Sequence, residues 1–181
     1  MDGVFLITPK VFEDKRGFFY ESWNKFNFDK LVEKTSFVQD NHSKSNLGVL
    51  RGLHYQIEPF AQDKLVRCTS GKVYDVIVDL RIKSKTFGEW YGTYLNDNNK
   101  FQLWVPQGFA HGFLSLKNHS EVQYKTSEYW DKNTEKSLKW DDDEIKIEWP
   151  LKIHKENFKI MTSEKDSNCL NLNEIKKREY F

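Results

Sequence analysis

The chain has 181 residues, a formal net charge of +1, 30% charged residues and 15% aromatic residues. This length predicts one domain spanning residues 1–181 with a substantial core. The balanced charge argues against a nucleic-acid-binding protein, and no apolar run approaches the roughly 20 residues that cross a bilayer.

Short alternating segments, which are typical of β-strands, make up most of the chain. Residues 74–80 place apolar side chains on one face and two aspartates on the other, which predicts a half-buried strand. Ser70-Gly71 precedes this strand and predicts a hairpin with residues 65–68. The other predicted strands are 4–7, 18–22, 37–41, 51–56, 89–95, 102–105, 112–116 and 121–127.

Only two segments are predicted to be helical. Residues 26–34 carry apolar side chains at near-helical spacing. Residues 171–180 form the predicted C-terminal helix, with Asn171 as its cap and basic residues in its last turn. Many short strands separated by turns predict an all-β fold, best fitted by a cupin-type jelly-roll barrel with a few short peripheral helices.

The cysteines and the N-terminal segment predict where the protein resides. Cys68 and Cys169 are far apart in the chain and form no CxxC pair, which favours two unrelated reduced thiols. The first residues lack a basic segment followed by a long apolar one. The sequence therefore predicts a soluble, cytoplasmic protein.

The segment RGLHYQ at 51–56 divides polar from apolar residues. In an alternating strand, His54 and Gln56 share one face, and Leu53 and Tyr55 share the other. An imidazole on the polar face could act as a general base inside a barrel pocket. A lone histidine is more often an ordinary hydrogen-bonded side chain, so the other polar segments are needed to decide.

Three further segments contain candidate functional residues. In DKRGFFYESW (14–23), Arg16 could grip a phosphate with its guanidinium fork, or be an exposed turn residue. In WVPQGFAHGF (104–113), His111 begins a strand after a turn. In EVQYKTSEYW (121–130), Tyr124 could be a general acid, or a core tyrosine with a hydrogen-bonded hydroxyl.

Two histidines, His54 and His111, also raise the possibility of a metal site, because cupins often bind a metal through several histidines and a glutamate. The usual cupin signature would need a second histidine at position 56, where this chain has Gln56. The sequence therefore predicts neither a metal nor another cofactor.

Together these segments closely resemble the dTDP-4-dehydrorhamnose 3,5-epimerase family. The resemblance extends from about residue 4 to 166 in the family's order, and the pairing of RGLHYQ with PQGFAHGF is its most specific part. The matching runs are DKRGFFYESW (14–23), FVQDNHSKSNLGVLRGLHYQ (37–56), QDKLVRCTSGKVYDVIVDLR (62–81), QLWVPQGFAHGFL (102–114), EVQYKTSEYW (121–130) and SEKD (163–166).

The resemblance implies a metal-free homodimer that acts on a dTDP-linked 4-keto-6-deoxy hexose and yields dTDP-4-dehydro-L-rhamnose for dTDP-L-rhamnose biosynthesis. The C4 ketone acidifies the protons at C3 and C5, and each can be removed to give an enolate and returned on the opposite face. In this pattern His54 is the base, Asp166 its dyad partner and Tyr124 the proton donor. Lys64 lies near the ketone oxygen, where a cation would stabilise the oxyanion.

The resemblance also implies a set of substrate contacts, many of them supplied by the partner subunit. Arg16 and Arg51 would clamp the pyrophosphate. Phe19 or Tyr129 could stack on thymine or line the sugar pocket, and Trp130 stands where the family usually has a second tyrosine. The implied binding residues are Arg16, Glu21, Gln39, Asp40, Asn41, Arg51, Lys64, His111, Glu135 and Lys165.

Three other functions fit part of the pattern. A monofunctional 3- or 5-epimerase or a ketoisomerase-type cupin would act on a related nucleotide deoxysugar, and a non-catalytic protein would only bind one. The presence of both His54 and Tyr124 favours double epimerisation. The set of His54, Lys64, Tyr124 and Asp166 disfavours a simple binding protein, which needs no acid paired with a base.

Overall fold

The computed structural model of the protein describes residues 1–153, 156–167, 169–178 and 181. Its helices are α1 (Lys25–Leu31), α2 (Glu164–Ser167) and α3 (Leu172–Lys176). Its strands are β1 (Phe5–Ile7), β2 (Phe12–Asp14), β3 (Gly17–Phe19), β4 (Gln39–Ser45), β5 (Leu50–Gln56), β6 (Lys64–Ser70), β7 (Lys72–Asp79), β8 (Trp90–Asn96), β9 (Gln102–Val105), β10 (Phe109–Ser115), β11 (Ser120–Thr126), β12 (Glu135–Ser137), β13 (Lys152–Ile153) and β14 (Glu156–Asn157).

Ten strands form two five-stranded antiparallel sheets. The first has the order β1-β9-β6-β11-β4 and the second has the order β12-β5-β10-β7-β8. The short pairs β2-β3 and β13-β14 lie outside these sheets. The arrangement is the predicted cupin-type jelly roll, and in the described part of the chain no helix is long and apolar enough to cross a membrane.

The barrel interior is an apolar cluster to which both sheets contribute. Val66 and Val122 from the first sheet pack with Val73, Ile77 and Phe113 from the second. The alternation of each strand directs these side chains inward. This cluster fills part of the barrel and leaves the remainder open as a cavity.

The outer face of the second sheet is covered as well. Val76 and Val78 of β7 belong to a cluster that includes Leu172 and Ile175 of α3. Strand β7 is therefore buried on both faces, and the prediction of a half-buried strand is wrong. Its aspartates share the inward face with Val73 and Ile77, so they too are fully buried.

The helices begin close to where the sequence predicts but end earlier. Helix α1 begins after Asn24, whose side chain accepts a hydrogen bond from Asn27 N, and it ends at Leu31 rather than at residue 34. Helix α3 begins with the predicted Asn171 cap and ends at Lys176. Residues 179 and 180 of the predicted helix lie outside the described residues.

The predicted hairpin at Ser70-Gly71 is wrong. Strands β6 and β7 flank this turn, but β6 belongs to the first sheet and β7 to the second. Gly71 adopts a positive φ of 77° as the chain passes from one sheet to the other. Turn residues mark the reversal, but they do not determine which strand becomes the hydrogen-bonded neighbour.

Candidate active site

Two glycines bring the central strands of the site into close contact. A Cβ atom on Gly52, which has φ of +120°, would lie only 2.6 Å from Gly112 Cα. This close approach lets β5 and β10 pair with His54 opposite His111. Both imidazoles consequently line one cavity.

The cavity has a volume of about 510 Å³. Its wall combines residues from both sheets with residues from the segment that contains α2. Eight of the residues predicted from the sequence line it: Arg51, His54, Lys64, His111, Tyr124, Glu135, Lys165 and Asp166.

Asp166, which is buried, pairs with His54, which is only partly buried. His54 Nε2 lies 2.5 Å from Asp166 Oδ1, and Asp166 Oδ2 accepts a hydrogen bond of 2.9 Å from Ser163 Oγ. Burial acts to raise the pKa of Asp166, but the hydrogen bonds from His54 and Ser163 outweigh it, so the pKa is lowered. An ionised carboxylate can only accept, so Nε2 is the donor in this pair, and in the neutral imidazole the lone pair is then on Nδ1.

Lys64, which is buried, and Tyr124, which is partly buried, add two titratable groups. Burial lowers the pKa of Lys64 to about 8, although Glu135 and Asp75 partly oppose that effect. Lys64 Nζ donates to the His54 carbonyl at 3.1 Å, which holds the ammonium beside His54. Burial raises the pKa of Tyr124, so its hydroxyl keeps its proton at neutral pH.

His111 has a buried carboxyl partner of its own. Its Nε2 lies 3.1 and 3.0 Å from the two carboxyl oxygens of Asp75, which is fully buried. Asp75 lies on β7, next to β10 in the second sheet. This contact fixes the orientation of the His111 ring in the cavity wall.

Charged residues also lie near the edge of the cavity. Lys165 Nζ forms a 2.6 Å ion pair with Glu135 Oε2. Burial acts to raise the pKa of Glu135, but hydrogen bonds from Lys165 and the Trp130 side chain outweigh it and lower the pKa. Strand β4 holds the Arg51 side chain in place, because Arg51 Nε donates to Ser45 Oγ at 3.0 Å.

Gln56 is part of the framework of the site. Its amide donates to the carbonyls of Phe60 and Tyr129 at 2.6 and 3.0 Å, and its oxygen accepts from Asp131 N at 2.7 Å. These bonds anchor the loop after β11 to β5. Among the residues that the structure describes, no group of three or more His, Cys, Asp or Glu side chains is placed to hold a metal ion.

Five predicted contact residues do not line this cavity. The Arg16 side chain is 84% exposed on the β2-β3 hairpin and pairs with Asp14. Asp40 and Asn41 line a smaller neighbouring cavity, to which Tyr124 also contributes. The other two are Glu21, which lines a groove beside α1, and Gln39, which donates to Asn41 and accepts from Trp130 N.

Several residues of the site were not identified from the sequence. Ser43, Gln62 and Ser163 line the cavity, and Asp75 supports His111 from behind. Strand alternation places Ser43 on the same face as Asn41, so the pattern contained a signal for it. No spacing in the sequence links Asp75 to His111, because their strands pair through the tertiary fold.

A jelly-roll barrel with a hydrogen-bonded His–Asp pair, a protonated tyrosine and a lysine around one cavity defines an enzyme that transfers protons. The model of the dTDP-4-dehydrorhamnose 3,5-epimerase family matches residues 1–174. The chain belongs to the dTDP-4-dehydrorhamnose 3,5-epimerase family, and it is an isomerase.

Individual relatives agree with this family assignment. The chain is 56% identical over 149 residues to the dTDP-4-dehydrorhamnose 3,5-epimerase of Shigella flexneri, covering 82% of each chain. It is 47% identical over 176 residues to that of Escherichia coli K12, covering 97% of this chain and 92% of the relative. A solved epimerase from Legionella pneumophila, in complex with dTDP-4-keto-L-rhamnose, superposes with a TM-score of 0.93 at 41% identity, covering 99% of this chain and 93% of the other.

Proposed function

We propose that the protein inverts C3 and C5 of dTDP-4-dehydro-6-deoxy-D-glucose to give dTDP-4-dehydro-L-rhamnose, a step of dTDP-L-rhamnose biosynthesis. The observation that carries this proposal is one cavity that contains both a carboxylate-supported imidazole and a protonated tyrosine. Epimerisation beside a ketone needs a base to remove each proton and an acid to return one on the other face. The family membership supplies the substrate class.

His54 is the proposed base. With Asp166 accepting from Nε2, the lone pair on Nδ1 can take a proton from carbon, and the imidazolium that forms stays paired with the carboxylate. The C–H electrons move into a C–C double bond, and the carbonyl oxygen becomes an enolate oxygen. Tyr124 is the proposed acid that protonates the same carbon from the opposite face, because its raised pKa keeps it protonated.

Lys64 is proposed to stabilise the enolate oxygen. It is buried, so water screens its charge little, and its pKa of about 8 leaves it largely cationic at neutral pH. A preorganised donor of this kind commonly contributes about 3–4 kcal/mol to the transition state. Lys64 thus serves both as a catalytic residue and as a substrate contact.

The remaining residues of the cavity wall are proposed to hold the nucleotide sugar. Arg51 offers its guanidinium to the pyrophosphate, and His111, Glu135 and Lys165 present polar groups to the hexose and phosphates. No cofactor is needed for this chemistry, because the ketone itself stabilises the carbanion.

The protein is further proposed to be a cytoplasmic homodimer. Phe12, Phe18 and Phe19 of the β2-β3 hairpin are 54%, 58% and 69% exposed, which is unusual for large apolar side chains that stay in water. Docking of this hairpin on a second copy would bury them and carry Arg16 to the neighbour's cavity. Glu21, Gln39, Asp40 and Asn41 would also contact the substrate within such a dimer.

Solvent exchange tests this function directly. The protein is incubated with dTDP-4-keto-6-deoxyglucose in heavy water, and proton NMR follows the signals at C3 and C5. We expect deuterium at both carbons. Deuterium at only one carbon would identify a monofunctional epimerase, and exchange at neither would contradict the proposal.

Replacement of His54 tests its role as the base. In His54→Asn, we expect exchange at C3 and C5 to fall to background while dTDP binding, measured by calorimetry, is largely retained. The matched control is His119→Asn, because His119 is exposed and adopts a φ of 61°, a conformation that asparagine tolerates. Undiminished exchange in His54→Asn would exclude His54 as the base.

A further inference from the structure

Helix α2 carries Asp166 but is too short to hold its own position. It has four residues, Glu164–Ser167, and Asp166 is the one residue that it buries. Isolated helices of this length are unstable in water, so contacts with the rest of the protein must fix them. The barrel side of α2 contains no buried apolar residue that could do so.

Backbone hydrogen bonds at Met161 and Leu170 tie the two sides of this segment to the barrel, and polar side-chain contacts orient the helix between them. Ser163 Oγ accepts from Asp166 N at 3.2 Å and so caps the turn locally. Asp166 reaches His54 on β5 at 2.5 Å, and the adjacent Lys165 reaches Glu135 on β12 at 2.6 Å. Two neighbouring residues of α2 therefore contact two adjacent strands of the second sheet.

Glu135 is well placed to act as an anchor. It faces Gln56 across the β12-β5 ladder, and Ser137, two residues later, faces His54. Its carboxylate also accepts a hydrogen bond from the Trp130 side chain, so it has two donors that hold it. A carboxylate that is fixed beside His54 can determine the position of Lys165 and therefore the position of the adjacent Asp166.

We propose that the Glu135–Lys165 ion pair is a clasp that positions Asp166 against His54 before substrate binds. Glu135 and Lys165 are thus positioning residues of the free enzyme, beyond the substrate contacts proposed for them above. The inference rests on the proposed function only in taking His54 as the base.

The test compares variants in the substrate-free protein, where contacts with the substrate play no part. The readout is the downfield proton resonance of the His54 Nε2–H group, identified by its absence in His54→Asn. The variants are Lys165→Met, Glu135→Gln, Lys165→Arg and the charge-swapped pair Glu135→Lys with Lys165→Glu. Lys139→Met is the matched control, because Lys139 forms an exposed ion pair with Asp141 elsewhere on the surface.

The clasp predicts that Lys165→Met and Glu135→Gln shift or lose this resonance, whereas Lys165→Arg and the charge-swapped pair retain it. Because small misplacements of catalytic groups can cost about 100-fold, we expect kcat to fall about 10- to 100-fold in the two disrupting variants. An unchanged resonance, with only KM raised, would overturn the clasp. If Lys165→Met loses its dispersed amide spectrum, Glu135→Gln decides the question.

The clasp and the proposed function can fail separately. The imidazole resonance is recorded without substrate, so an unchanged signal overturns the clasp and leaves the epimerase proposal intact. Absence of deuterium exchange in the unaltered protein contradicts the epimerase proposal and leaves the clasp standing.

Discussion

At the scale of a single residue, burial sets the pKa of Lys64, the group proposed to stabilise the enolate oxygen. Burial lowers its pKa to about 8 from the ordinary value of 10.5, so the ammonium loses its proton as the pH rises through about 8. The pKa of Tyr124 is raised, so this tyrosine stays protonated over the same range. We therefore expect kcat to fall above about pH 8, measured as a profile of turnover against pH.

Substitution of Lys64 tests whether this lysine, and not another group, causes the fall in kcat at alkaline pH. A guanidinium keeps its charge far above pH 8, so Lys64→Arg should move the fall in kcat to higher pH even if its maximum is lower. Loss of a preorganised donor typically costs about 10²- to 10³-fold in kcat, which is the loss expected for Lys64→Met. An alkaline fall that is identical in Lys64→Arg would assign the titration to another group.

Residue types and motifs were enough to predict part of the site. The other site residues come together only through contacts between segments that are distant in the chain. Strand alternation placed His54 on the cavity face of β5, with Leu53 and Tyr55 in the apolar cluster on the other face, as the structure confirms. Alternation could not identify Asp75 or Ser163 as supports, because each meets its histidine or carboxylate through contacts between distant segments.

At the scale of secondary structure, the close approach of the paired strands β5 and β10 positions the site. In Gly52→Ala, the new Cβ would lie 2.6 Å from Gly112 Cα and 2.8 Å from the His111 carbonyl oxygen. Backbone strain and overpacking each cost about 1–3 kcal/mol. We therefore expect the free energy of unfolding, measured in urea, to fall by about 2–6 kcal/mol, with loss of exchange activity.

Gly17→Ala is the matched control for this close approach. Gly17 also has a positive φ, of 127°, but a Cβ there would meet nothing within 4 Å. Gly17→Ala should lower the free energy of unfolding only by the cost of backbone strain, about 1–3 kcal/mol. Equal losses in Gly52→Ala and Gly17→Ala would mean that the close approach of the two strands contributes nothing.

The connection between β7 and β8 depends on one buried carboxylate. Asp79 accepts hydrogen bonds from Arg81 Nε, Ser84 Oγ and Thr86 Oγ1 at 2.9, 2.6 and 2.7 Å. Burial acts to raise its pKa, and these hydrogen bonds outweigh it and lower the pKa to about 2. The fold brings Arg81, Ser84 and Thr86 together around a side chain that has no exposure to solvent.

Part of the free energy of unfolding should therefore depend on the ionisation of Asp79 and be lost in acid. Its folded pKa lies below the unfolded value of about 3.9, so its contribution is complete above about pH 4 and is lost as the pH falls towards 2. That contribution is about 2–3 kcal/mol. Between pH 6 and pH 2, the free energy of unfolding measured in urea should fall less in Asp79→Asn than in the unaltered protein. Parallel curves of this free energy against pH would contradict the account.

The turn between β6 and β7 shows why strand order was harder to predict than strand existence. Ser70-Gly71 correctly marks a reversal, and both flanking strands exist, but they join different sheets. Local sequence encodes a strand and its two faces, whereas its hydrogen-bonded neighbour depends on the packing of all ten strands. The cupin-type class was predictable from the count and spacing of short strands, and the sheet order was not.

The surface of the whole molecule supports a shared active site. Arg16 is proposed to bind phosphate, yet it projects from an exposed aromatic hairpin and lines a surface groove separate from the cavity of its own chain. Within a two-fold dimer, the same hairpin on each chain would reach the other chain's cavity. Each complete site would then combine Arg16 of one chain with His54 of its partner.

Hybrid dimers test this division between the chains. Arg16→Ala and His54→Asn should each be strongly impaired, but refolding them together in equal amounts makes about half of the dimers hybrids, each with one complete site. About a quarter of all sites should then be complete, which deuterium exchange would measure. A mixture of His54→Asn with Lys64→Met is the control, because both residues line the cavity of one chain and no complete site can form. Activity that stays at the level of the separate variants would place Arg16 in the site of its own chain or outside the site altogether.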